Sequence, residues 1–269
     1  MTRPDKMDLK TIIREAVHKL IEENIDPRKV KKSLDVHEAK VHFIPARYRI
    51  IGGVIQALNI QFGNFIEILL GQIVEHDPKV SEHPLSRKRL ALSMTAETDA
   101  LIDSYITGRQ LPDSADQCDV EFRTVCEEIL RNEQNESLQK RKITKDVDLI
   151  FSVDGRYVYA EVKYNDDHDT GKFVDINRKF LKTFAGLINE LGVTKVGQLT
   201  PILYYFNPVK RWGPIYTPVS NIMRGAQLFE RYFETRYADV DRCLRDAGED
   251  PKVLDMFDRF YKYVRYEMK

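Results

Sequence analysis

The stretch Asp146-Val147-Asp148-Leu149-Ile150-Phe151-Ser152-Val153-Asp154-Gly155-Arg156-Tyr157-Val158-Tyr159-Ala160-Glu161-Val162-Lys163 decides the fold of this 269-residue chain. Two runs rich in β-branched and aromatic residues flank Asp154-Gly155, a pair that tolerates the positive φ of a tight hairpin turn. A two-residue turn sets the register. Val153 then faces Arg156, Phe151 faces Val158 and Leu149 faces Ala160; Asp148 falls opposite Glu161, and Asp146 opposite Lys163. Side chains alternate faces along a strand. Asp146, Asp148, Glu161 and Lys163 therefore share one face of the open end, and Leu149, Phe151, Val158, Ala160 and Val162 form an apolar face.

Opposed side chains sit ~5 Å apart, and opposed like charges destabilise a sheet. A divalent cation between Asp148 and Glu161 removes that conflict. Hard cations such as Mg²⁺ take oxygen ligands, often one or two carboxylates plus substrate phosphate. A lysine beside them can hold a water or stabilise developing charge. The plainer reading is a solvated, charged rim with an Asp146–Lys163 ion pair worth ~0.2–1 kcal/mol. Register, face and turn chemistry together favour the metal site.

With Asp148 as the acidic residue and Glu161-Val162-Lys163 as the E-x-K element, the pattern resembles the PD-(D/E)xK nuclease core. With Lys163–Phe173 and the helix after it, the region resembles type II restriction endonucleases. Val147 stands where that family often has proline, so Asp146 and Asp148 compete for the first position. Asp148 is preferred because it begins the apolar strand and opposes Glu161. The resemblance implies a mixed β-sheet of the restriction-endonuclease-like type flanked by many helices, α/β or loosely α+β. It implies Mg²⁺-dependent cleavage of double-stranded DNA. Asp148 and Glu161 would hold the metal, with the Val162 carbonyl as a third ligand, and Lys163 would orient water or stabilise the pentacovalent charge. It further implies a homodimer, since cutting both strands of a palindrome calls for matching two-fold symmetry.

Across the chain, 42 Lys and Arg balance 42 Asp and Glu. Zero net charge argues against non-specific coating of nucleic acid, so positive charge must be local. It clusters at Arg87-Lys88-Arg89, at Lys140, Arg141, Lys142 and Lys145, at Lys172, Arg178, Lys179 and Lys182, and at Lys210-Arg211 beside Trp212. Cys118, Cys126 and Cys243 have no metal-ligand spacing and suit a reducing cytoplasm. The first six residues lack a signal-peptide core, and no run of apolar residues suggests a membrane span. One domain is expected: a helical part over about 1–140, a catalytic core over about 141–220 and a helical part over about 221–269.

Periodicity predicts helices over Asp8–Asn24, Ala96–Ile106, Asp113–Arg131, Lys172–Leu191, Ser220 to about Tyr237, Ala238–Ala247 and Pro251–Tyr266. Ala46–Glu75 reads as one or two buried helices, with Gly52-Gly53 and Gly63 permitting close packing or a break. Residues 28–45 read as a loop with at most one short helix, residues 77–95 as irregular, and the polar residues 132–142 as a helix running on into solvent. Gln198–Phe206 reads as a buried strand; a strand–helix–strand unit implies parallel pairing with the hairpin.

Three further features carry alternatives. Glu67 lies among Phe65, Ile66, Ile68 and Leu69, where a carboxylate needs a partner. The family resemblance makes it a further acidic residue of the site; otherwise it reaches solvent or pairs with an arginine such as Arg47. The loop Asn165–Gly171, with His168, reads as a solvated turn rather than a second metal site or a general base. Lys172, Arg178, Lys179 and Lys182 read as DNA-backbone contacts or as an ordinary basic helix face. Lys210 and Arg211 read as groove contacts or as part of a surface loop. The rival functions are a structure-specific or repair nuclease of the same superfamily, and a non-catalytic nucleic-acid-binding or scaffold protein.

Overall fold

The structure, a computed structural model, describes residues 8–110, 117–167 and 169–267. They gather into two compact units: residues up to Ile66 with those from Arg236 onward, and Glu67–Thr235.

The first unit is helical. α1 (Leu9–Asn24) starts where the Asp8 carboxylate accepts from the Thr11 N–H. α2 (Pro27–Glu38) is capped by Asp26, with Pro27 where no N–H is needed. The loop expected over 28–45 is thus a 12-residue helix for its first half. Val30 and Leu34, one turn apart, bury a stripe against Ile50, Phe260 and Val264. α3 (Ala46–His76) runs unbroken for 31 residues through Gly52-Gly53 and Gly63, its part from Glu67 onward counting with the second unit, and at Gly52 and Gly63 no close neighbour explains the missing side chain. By length and composition α3 could cross a membrane, yet Ile66, Leu69, Leu70 and Ile73 are fully buried in the protein. α8 (Tyr237–Gly248) and α9 (Pro251–Lys262) complete this unit.

The second unit is built on a five-stranded sheet. In chain order its strands are β1 (Ser81–Glu82), β4 (Leu149–Val153), β5 (Arg156–Lys163), β6 (Leu199–Tyr205) and β7 (Ile222–Arg224), and they lie side by side in that order. β1, β4 and β5 pair antiparallel; β5, β6 and β7 pair parallel. β2 (Lys88–Thr95) and β3 (Lys140–Val147) form a separate antiparallel pair. α4 (Ala96–Gly108), α5 (Cys118–Gln134), α6 (Thr170–Glu190) and α7 (Ala226–Tyr232) pack around these strands.

The hairpin has the expected register, Leu149 opposite Ala160 through Val153 opposite Arg156. Asp154 and Gly155 take φ of 51° and 74°, the left-handed turn that suits the twist of the strands. Two details differ. Asp146 does not face Lys163; it lies in β3 opposite Arg89 and is exposed. The sheet is also buried on both faces: Ile150 and Tyr159 join the core under α6, and Phe151 packs on the rings of Tyr232 and Phe233 on the other side.

Three segments depart from the sequence reading. Residues 77–95 hold β1 and β2, and residues 132–142 contain the end of α5 and the start of β3. β3 begins with the exposed Lys140, Arg141 and Lys142, a polar sheet margin that mimics a solvated helix. The helix expected from Ser220 is a short 3-10 turn, then β7, then α7. The start of the helix expected at Asp113 falls on residues 111–116, outside the described residues.

α6 fixes the site. Asp169 caps it by accepting from the Lys172 N–H, and its apolar side packs on β2, β3 and β6. Gly186 permits the close approach: a Cβ there would lie 2.6 Å from the Leu92 Cβ. At the far end, the buried Glu133 accepts from Thr95 N–H and Oγ1–H, each at 3.0 Å, and from Asn189 at 2.7 Å. That carboxylate ties α5, β2 and α6 together.

Candidate active site

Asp148 stands between β3 and β4, where the chain leaves one sheet for the other. Its backbone breaks pairing there, and its carboxylate accepts the Val162 N–H at 2.9 Å. That bond aims it at the end of β5, which carries Glu161, Val162 and Lys163. The two side chains are 4% and 0% exposed, so charge on them requires partners.

The partners are two ammonium groups. Lys163 Nζ contacts Glu161 Oε1 at 2.7 Å, Asp148 Oδ2 at 3.2 Å and the Val162 carbonyl at 2.6 Å. Lys179, from the middle of α6, contacts Glu161 Oε1 at 2.7 Å and Asp148 Oδ1 at 3.1 Å. The Tyr159 hydroxyl donates to Glu161 Oε2 at 2.7 Å. Burial and the neighbouring Glu161 charge push the Asp148 carboxyl above its ordinary range. For Glu161 burial acts the same way, but Lys163 and Lys179 outweigh it and hold the carboxyl below its ordinary range. Burial opposes the charge on both lysines, and the two carboxylates more than offset it, so both lysines stay protonated.

Glu67 belongs to the same field. Burial, then the Asp148 charge, raises its carboxyl to about 7, with Lys163 and Lys179 pulling the other way. The α3 glutamate singled out in the sequence therefore faces the hairpin acids rather than Arg47, which donates to the Arg265 carbonyl.

Of the basic residues, Lys179 points into the acid pair rather than outward. Arg178 pairs with Asp103 at 2.9 Å and Asp175 at 3.1 Å, and Lys182 with Asp99 at 2.6 Å and Asp103 at 3.1 Å. Lys172 and Lys210 are exposed. Arg211 pairs with Asp167. His168 lies outside the described residues. Lys179 as a partner of the carboxylates was not read from the sequence; its only trace there is its place on the inner half of a helix following the E-x-K element. Asp166 was also passed over, although it is buried and anchors the loop after β6 by accepting the Arg211 and Trp212 N–H groups.

Among the described residues no group of three or more His, Cys, Asp or Glu is placed to hold a metal ion on its own. Two carboxylates and a backbone carbonyl converge instead, and all three offer oxygen to one cationic group, Lys163 Nζ. Such a hard oxygen set suits a small divalent cation that completes its shell with water and substrate phosphate.

Similarity to known proteins extends over nearly the whole chain. The chain matches the family model described as "Type II restriction endonuclease, HinfI" over residues 5–248. It is 37% identical over 262 residues to the type II restriction enzyme HinfI of Haemophilus influenzae, covering 96% of this chain and 97% of that protein. No solved structure matches it. The chain belongs to the HinfI family of type II restriction endonucleases.

Proposed function

We propose that this site-specific deoxyribonuclease cuts double-stranded DNA with Asp148, Glu161 and Lys163 as its catalytic groups, and that it works in the cytoplasm as a two-fold dimer. The observation that carries this reading is the meeting of Asp148, Glu161 and the Val162 carbonyl around one half-buried ammonium group, that of Lys163. Those three oxygens would hold Mg²⁺, with Glu67 contributing negative charge directly or through water. When bound, the cation supplies Lewis-acid polarisation of the phosphoryl group and a more acidic water.

The chain's own residues do the rest. Val162 N–H and Tyr159 orient the two carboxylates, so little reorganisation is needed when the substrate arrives. Lys163 keeps its proton and presents N–H donors to the attacking water or to the charge that develops on phosphorus. Lys179 offsets the second carboxylate charge. Lys172, Lys210 and Arg211 stand exposed for the DNA, and Arg178 and Lys182, on α6 with Lys172, would reach it by exchanging their aspartate partners for phosphate; each phosphate neutralised would add to the salt dependence of binding.

The test is a Mg²⁺-dependent digest of plasmid DNA with sequencing of the ends. Wild type is expected to give discrete fragments. Asp148→Ala and Glu161→Ala are expected to lose cleavage while still folding and binding DNA when Ca²⁺ replaces Mg²⁺. Unaltered cutting by either variant overturns the assignment of these residues. Sedimentation of the DNA-bound protein tests the dimer, and a monomer that cuts both strands in one encounter excludes it.

A further inference from the structure

β5, β6 and β7 end in one register row. Lys163 pairs with Tyr205, and Tyr205 with Arg224. Registered residues on neighbouring strands project to the same face. These three side chains therefore rise side by side, Arg224 two strand spacings, about 10 Å, from Lys163. The cleavage chemistry uses neither Tyr205 nor Arg224.

Each residue carries a donor with no partner among the described residues. Tyr205 is 1% exposed, and its hydroxyl has no hydrogen-bond partner among the described residues. The Arg224 guanidinium lies on the Tyr205 ring, 4.5 Å from its centroid. One nitrogen, Nη2, bonds Asp166 at 2.8 Å and reaches the Trp212 carbonyl at 3.4 Å. The other, Nη1, is buried and bonds nothing among the described residues. Native proteins leave few buried donors unpaired, and two on stacked side chains call for an acceptor. Asp166 Oδ2 takes Arg224 Nη2 and the Arg211 and Trp212 N–H groups, so the Asp166 bond to the guanidinium falls on Nη2 and not on Nη1. That bond fixes the guanidinium and leaves Nη1 without a partner among the described residues. Burial and the Asp166 charge raise the Tyr205 phenol, which keeps it a donor.

The geometry points to an anion subsite in which Tyr205 Oη–H and Arg224 Nη1–H receive an oxygen of a DNA phosphodiester neighbouring the scissile one. A hydroxyl donor beside a guanidinium N–H suits a phosphate, whereas a base edge would offer donors as well as acceptors. This subsite rests on the proposed cleavage site, since Lys163 supplies its neighbour. It adds to the reaction a grip on the strand beside the bond to be cut. Tyr205 and Arg224 would bind that phosphate, and Asp166 is the positioning residue.

Tyr205→Phe deletes one oxygen that bonds nothing among the described residues. An idle hydroxyl would leave cleavage unchanged when removed. A phosphate donor would leave the melting temperature equal or higher and lower kcat/KM about 10- to 100-fold, the effect of losing a hydrogen bond to a charged group. The substrate is a duplex that the wild type cuts at its mapped site. In parallel, single phosphates of that duplex are replaced one at a time by neutral methylphosphonate, and binding is measured in Ca²⁺. Wild type is expected to lose affinity at one diester flanking the cut, and Tyr205→Phe to be insensitive there. Full activity in Tyr205→Phe, or no such coupled position, overturns the subsite. Arg224→Lys, which keeps the Asp166 pair but lacks the second nitrogen, replaces Tyr205→Phe in the same scan if that variant does not fold. Cutting that survives Asp148→Ala refutes the cleavage site itself; cutting that needs Asp148 but ignores Tyr205 refutes only the subsite.

Discussion

Lys179→Met keeps most of the α6 side chain's apolar stem and deletes its charge, and so isolates what the second ammonium does. In the intact site two ammonium groups face two carboxylates. Without Lys179, one ammonium faces two acids that are 4% and 0% exposed. Breaking a fully buried pair costs about 3–5 kcal/mol. Lys179 is itself 28% exposed, so solvent screening reduces the loss to about 1–3 kcal/mol. For a chain of this size that is a fall in melting temperature of about 2–6 °C in the absence of divalent metal. Mg²⁺ should then restore more stability to the variant than to wild type, because it no longer competes with an ammonium for the same oxygens and binding to the folded state alone raises stability. The assay is thermal denaturation of both proteins in EDTA and across a Mg²⁺ series. Equal melting points in EDTA, with parallel Mg²⁺ responses, would refute the claim that Lys179 balances the acid pair.

Other perturbations give equally definite expectations. Glu67 has its carboxyl raised from 4.5 to about 7. Between those pH values the folded state holds a proton that the unfolded state has lost, so this group makes the metal-free protein less stable as pH rises through that window. Glu67→Gln should flatten that slope and add about 1 kcal/mol above pH 7 after allowance for partial exposure; an unchanged pH–stability profile in EDTA counts against it. Gly186→Val should cost about 1–3 kcal/mol through collision with Leu92, read by urea denaturation, and a neutral result would mean that α6 does not sit so close to β2. Glu133→Ala should destabilise by about 2–4 kcal/mol, since Thr95 and Asn189 lose a buried acceptor. Its Mg²⁺ response should match wild type, which separates a structural carboxylate from those of the site.

The hairpin was legible because local rules agree there: Asp154-Gly155 sets the turn, the turn sets the register, and the register brings Asp148 to Glu161. The parallel strand after α6 was legible because Leu199–Tyr205 is a short apolar run behind an amphipathic helix. β2 and β3 were not. Arg87-Lys88-Arg89 and Lys140-Arg141-Lys142 sit at strand ends of a two-stranded sheet with an exposed margin, so no clean alternation marks them. β7 is only three residues long and owes its existence to pairing with β6. Asp146 was misplaced because the chain changes sheets at Asp148, a tertiary event with no local signal. Lys179 was read as outward because helix periodicity tells which face is apolar, not that a long side chain at its edge reaches back to a strand's acids.

Asp166 has a mechanical meaning beyond its bonds. A single carboxylate oxygen holds the base of the 207–218 loop and the end of β7 just beyond the exit of β5. The loop that bears Lys210 and Arg211 is thereby riveted to the strand that bears Glu161 and Lys163. If those two cations touch bases, an incorrect sequence that displaces them also tilts the cutting strand, and fidelity is enforced as a stalled turnover on DNA that is still held.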